Sequence, residues 1–145
     1  PVNLTDDLRA QIDALGPVEF LVTQTGFHYM FIAPWQAAWP AAKLIGPQMH
    51  REKTEVQGLA YAGYLDDSAP FAPGEIEQIH FDGHGFDETA LYHAPSKSLL
   101  LTDIVLSGKA PRTRFIDFYC WLCGQHRAFG CLAYHRFLTQ DTAVM

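Results

Sequence analysis

The sequence predicts an α/β fold. Two observations carry this. Short β-branched and aromatic runs alternate along the chain with stretches of helical periodicity, and clusters of Gly, Pro and Asp separate them. The length of 145 residues, with 48% apolar and 18% charged residues, fits one domain over 1–145 that buries about two-thirds of its unfolded surface.

The elements follow in order. "LTDDLRAQIDALG" has Thr5 as a helix cap, Asp6 and Asp7 in the first turn, Gly16 as the stop, and Leu4, Leu8, Ile12 and Leu15 on one face. "VEFLV", Val18 to Val22, is of strand length and composition. "APWQAAW" places Pro34 at the first position of a short helix that Pro40 ends. "AKLIG" reads as a buried strand, and residues 48–58 as a polar helix or loop. "EIEQIHF" alternates as a strand, "DGHGFD" is turn chemistry, and "TALYHA" and "SLLLTDIVL" are two strands joined as a hairpin at Pro95-Ser96. From Arg112 the pattern is helical, through "RFIDFYCWLCG" and then "QHRAFGCLAYHRFLTQ".

The bulk chemistry excludes several classes. A net charge of −6 with only two small basic groupings, Arg51/Lys53 and Arg112/Arg114, argues against nucleic acid or an anionic membrane as partner. No apolar run approaches the ~18 residues of a membrane-spanning helix, and no signal-peptide pattern is visible. Three cysteines, all between Cys120 and Cys131, do not make a disulfide framework, so a reduced, cytoplasmic setting is the expectation.

Candidate chemistry concentrates in two places. In "GHGFDETALYHAPSKSLLLTD" a Gly-His turn precedes two strands, and a buried apolar strand ends in Asp103; strand ends open onto loops, where sites are usually built. His84 and Asp103 can therefore meet in one cleft. Glu88 and His93 lie on opposite faces of the strand between, with Glu88 able to line the pocket as a general base or a fourth ligand. In "CWLCGQHRAFGCLAYH", Cys120, Cys123, Cys131 and His135 have a zinc-compatible order, but Cys120 and Cys123 also share a helical face with Ile116 and Tyr119 as a core stripe. His28 sits in "LVTQTGFHYMF" among aromatics, where it is either a packed core residue or part of a site.

The segment from Gly83 to Asp103 resembles the "GHTxGS…LLxTGD" segment of the metallo-β-lactamase superfamily, which supplies a histidine and a bridging aspartate to a zinc or iron site. That resemblance implies His84 and Asp103 as metal ligands. Laid on the superfamily's "THxHxDH" from Thr25, the chain keeps His28 and has Gly26, Met30 and Phe31 in the other ligand places. The chain is most similar to the domain-of-unknown-function family 4336 of that fold. The similarity runs through "PVNLTDDLRAQIDALGPVEFLV", "FHYMFIAPWQAAWPAAKLIGP" and "DETALYHAPSKSLLLTDIV", and is most specific in Glu88, His93, Pro95, Ser96 and Asp103.

The resemblance implies a shortened metallo-β-lactamase-like sheet with packed helices, truncated at both ends relative to the family. It implies Zn or Fe ligands at His84 and Asp103, with His28 in the one other ligand place kept. By their chemistry, two imidazoles and a carboxylate suffice for one ion with an open position, and the expectation is a mononuclear metal-dependent hydrolase acting on a small-molecule ester, amide or similar acyl bond, with Asp103 and Glu88 as candidate catalytic residues. The alternative is a non-catalytic binding or partner-interaction module that keeps the fold without the metal. A shortened sheet leaves open edges and apolar surface, so the expectation is a homodimer or higher oligomer.

Overall fold

A computed structural model describes residues 2–65, 71–107, 113–122 and 129–130. The first element is helix α1 (Asp6–Asp13), and its start is the cap the sequence encodes: the Thr5 hydroxyl accepts the Leu8 N–H at 3.2 Å. Gly16 follows with φ +130°, a conformation that ends the helical path. The apolar face of α1 is only half-buried, and Leu15 is exposed, beyond the last turn.

Strand β1 (Phe20–Val22), shorter by two residues than the run that predicts it, pairs in parallel with β2 (Lys43–Gly46), and β2 pairs in parallel with β3 (Tyr61–Tyr64). Between β1 and β2 lies helix α2 (Ile32–Ala38). Pro34 is its third residue rather than its first, still within the turn whose N–H groups have no helical partner, so a proline costs no hydrogen bond there. Trp35 Nε1 donates to Val2 O (3.1 Å) and Trp39 Nε1 to Asp13 Oδ1 (2.7 Å), which fasten the N-terminal segment and α1 onto α2. Two 3₁₀ turns, Gln48–Arg51 and Thr54–Val56, occupy the polar stretch after β2. Strand β3 has no counterpart among the sequence expectations. Its "YAGY" contains a glycine and an alanine, which weaken the strand signal.

The second sheet is antiparallel: β4 (Ile76–His80), β5 (Thr89–His93) and β6 (Ser98–Leu100), in that order. The hairpin at Pro95-Ser96 joins β5 to β6 as the sequence predicts. The run "SLLLTDIVL" is not one buried strand. Pairing stops at Leu100, the backbone turns, and a separate strand β7 (Leu106–Ser107) follows. Leu99 and Leu100, on the edge strand β6, are exposed. Helix α3 (Arg114–Leu122) matches the first helical expectation near the C-terminus. The second does not hold at Phe129–Gly130, which form β8 against β7; a glycine is a poor helix residue, and the ladder to Leu106 and Ser107 satisfies its backbone instead. Backbone Cys120 lies in α3, while Cys123, Cys131 and His135 lie outside the described residues.

The two larger sheets share one core. Ile45 from β2 and Leu91 from β5 pack with Leu65 and Phe71, and Phe20, Val22 and Ile76 close around them. The chain just past β1 ties the sheets together: Thr89 N donates to Gln24 O at 2.9 Å, and the Gln24 amide donates to Thr89 O and Leu100 O, each at 3.0 Å. No helix among the described residues is long and apolar enough to cross a membrane. The architecture is a small mixed α/β one, as predicted.

Candidate functional site

The site begins where β1 ends. Parallel strands deliver their C-terminal ends to loops outside the sheet, and the loop after β1 carries Thr25, Gly26, Phe27 and His28. Thr25, fully buried, donates its hydroxyl to Phe86 O at 3.0 Å, and Gly26 N donates to the same carbonyl at 2.9 Å. The β1 loop is thus stitched to the β4–β5 turn. Gly26 packs closely on Met49, and a Cβ there would require the Met49 side chain to move.

His28 and Asp103 come together. His28 Nε2 lies 3.2 Å from Asp103 Oδ2, with each side chain about one-third exposed, at 34% and 32%. In the neutral ring such a pair sets the tautomer: the nitrogen facing the carboxylate carries the proton, and Nδ1 is an acceptor. His28 also lines a cavity of about 450 Å³ whose walls include Phe20, Val22, Phe31, Ile32, Trp35 and Leu44. Thr23 and His28 are the polar residues of that lining. Thr23 Oγ1 is buried and has no hydrogen-bond partner among the described residues.

His84 is buried in the β4–β5 turn, its ring edge-on to Phe86 at 5.0 Å. Burial lowers its pKa below the ordinary 6.5, while the carboxylates of Glu88 and Asp103 pull the other way. His84 therefore lies within the electrostatic reach of Asp103. Among the described residues, no group of three or more His, Cys, Asp or Glu side chains is arranged to hold a metal ion. His28 and Asp103 face one another.

Glu88 does not line the cavity. It is 0% exposed, and its carboxylate accepts three successive backbone N–H groups: Thr102 N to Oε1 (3.0 Å), and Asp103 N (3.1 Å) and Ile104 N (2.9 Å) to Oε2. His93 supports the hairpin, its Nδ1 2.7 Å from Ser96 Oγ.

Sequence reasoning leaves His50 and His80 without partners, and both have them. His80 Nδ1 lies 3.0 Å from Thr89 Oγ1, its cross-strand neighbour, with Asp82 and Asp87 beyond Nε2. His50, 3% exposed, lies under the His28 loop, with Nε2 3.2 Å from Gly26 O and Nδ1 2.8 Å from Tyr61 Oη. A neutral imidazole satisfies both, donating to the carbonyl and accepting from the phenol. The only available sequence signal was a histidine after Gly46-Pro47; its partners are contributed by distant segments.

Burial pushes the His50 pKa down from 6.5, against the hydrogen bond to Gly26 O, which raises it, and nearby Lys53 adds to the lowering. Below pH 6.5 the unfolded chain therefore binds more protons at this position than the folded chain does. Stability is full above 6.5 and is lost as pH falls from there towards the folded pKa. His84 contributes with the same sign. Denaturant midpoints measured between pH 7.5 and 5 should fall with pH. His50→Gln should be less stable at pH 7.5 yet show a flatter pH slope, and an unchanged slope would count against the assignment.

Comparison with known proteins adds no relative to this geometry: no family model, curated protein or solved structure matches the chain.

Proposed function

We propose that the protein is a binding module, built on a metallo-β-lactamase-like frame, that takes up a small, largely apolar molecule with one hydrogen-bond-donating end. The observation that carries this is the apolar cavity of about 450 Å³ with His28 in its wall and Asp103 on His28 Nε2. Ligand sites are commonly concave and apolar with a few placed polar groups, and this volume is in their range. Aromatic and aliphatic walls take the body of the ligand. The acceptor left on His28 selects an alcohol, phenol or amide N–H over an isosteric hydrocarbon.

Naphthol and naphthalene test this by calorimetric titration. Wild type should bind naphthol about tenfold more tightly than naphthalene, the worth of one good hydrogen bond, and His28→Ala should abolish that preference while retaining binding of the hydrocarbon. Absence of binding, or equal affinities in wild type and variant, would sink the proposal.

A second reading is a mononuclear hydrolase with one Zn or Fe ion held by His28, His84 and Asp103. It is favoured by the buried imidazole of His84, whose pKa burial lowers and which lies within the electrostatic reach of Asp103, since a metal takes histidine in its neutral form. Metal analysis of chelator-free protein decides it: less than about one-tenth of an equivalent, with none regained on soaking, removes this reading. Exposed Leu99 and Leu100 on edge strand β6 support self-association, and light scattering at micromolar concentration would report a monomer if that is mistaken.

A further inference from the structure

We infer that Glu88 is the positioning residue of the His28–Asp103 pair, holding the backbone that aims Asp103 at His28. The inference rests on the reading of that pair as the polar element of the cavity. Glu88 is itself fully buried, so no ligand reaches it.

Three features of the chain support the assignment. Successive N–H groups of an extended strand point to opposite sides, yet those of Thr102, Asp103 and Ile104 converge on one carboxylate. The carboxylate therefore holds this segment out of the strand geometry that β6 had up to Leu100. Convergent backbone N–H groups form an anion-binding concavity, and here the anion is a side chain of the same fold. Asp103 is the middle residue of the three, so its Cα is fixed from both sides, with buried Ile104 anchoring the next position. The arrangement persists although it leaves Thr102 Oγ1 buried without a partner among the described residues.

The residue next to Glu88 reaches the segment that carries the other half of the pair. Glu88 O accepts from Phe81 N at 3.0 Å, and the adjacent Thr89 N donates to Gln24 O at 2.9 Å, four residues before His28. The backbone around Glu88 is thus registered to the loop that carries His28, while its side chain grips the loop that carries Asp103. Glu88 and the adjacent Thr89 thus link two segments whose functional groups Glu88 does not touch.

Glu88→Gln tests this. The amide keeps the shape but turns one acceptor oxygen into a donor that faces a backbone N–H. Long-range proton–nitrogen NMR reads the His28 ring directly. Wild type should show the Nε2–H tautomer. Folded Glu88→Gln should show a mixture of tautomers, and its preference for naphthol over naphthalene should shrink by about fivefold. Glu88→Asp, which keeps the charge on a shorter arm, should recover part of both.

A lowered melting temperature with the His28 tautomer unchanged would make Glu88 merely structural and overturn the inference. If neither variant folds, scalar couplings across the hydrogen bonds from Thr102, Asp103 and Ile104 N–H to the Glu88 carboxylate decide the matter in wild type, and their absence overturns it. Failure of wild type to prefer naphthol rejects the ligand proposal alone, because the tautomer readout does not depend on a ligand.

Discussion

Glu88→Ala is expected to remove about 3–5 kcal/mol of folding stability, because it strands three backbone N–H groups in a buried site and deletes charge-assisted hydrogen bonds worth more than neutral ones. Glu88 is 0% exposed, so water cannot take over without the loop at Thr102–Ile104 opening. Against a total of roughly 5–15 kcal/mol for a domain, the loss is a large share. Urea denaturation monitored by tryptophan fluorescence measures it. A cost below about 1 kcal/mol would show that the three amides find other partners easily. Glu77→Ala, on the exposed face of β4, is the matching control and should change stability by no more than about 0.5 kcal/mol.

Leu44→Ala is expected to cost about 2–5 kcal/mol, the range for emptying a packed core position. Leu44 is 1% exposed in β2, the middle strand of the parallel sheet, and its register neighbours are Leu21 and Tyr61. It also lines the cavity beside His28, so the truncation enlarges that space and should weaken naphthol binding as well as folding. Leu15→Ala removes the same atoms from a residue 89% exposed and should be nearly neutral. Equal effects of the two substitutions in denaturation curves would mean that β2 is not at the centre of a packed core.

Much of the local structure was legible. Thr5 caps α1 because a hydroxyl at that spacing reaches the free N–H of Leu8, a contact set within one turn. The β5–β6 hairpin follows from two strand-like runs around Pro95-Ser96, and β2 from a short apolar run closed by Gly46-Pro47. Strand β3 was not legible, because "YAGY" gains its strand character from pairing with β2 and little from its own side chains. The length of "SLLLTDIVL" misled for a related reason. Its composition favours one continuous strand, but the amides beyond Leu101 find a carboxylate rather than a neighbouring strand.

The candidate site divides along the same line. By itself the sequence determined that the chain is α/β, that His28 follows a strand, that His84 lies in a Gly-rich turn, and that Asp103 follows a hairpin, because each is set by residues a few positions away. Only the tertiary structure decided that His28 meets Asp103, that His84 is buried with its pKa lowered, and that Glu88 serves the backbone instead of the cavity. Those outcomes depend on which buried donor finds which acceptor across two sheets. Side-chain periodicity carries no record of that choice, since it reports the face a residue takes and not the partner that awaits it there.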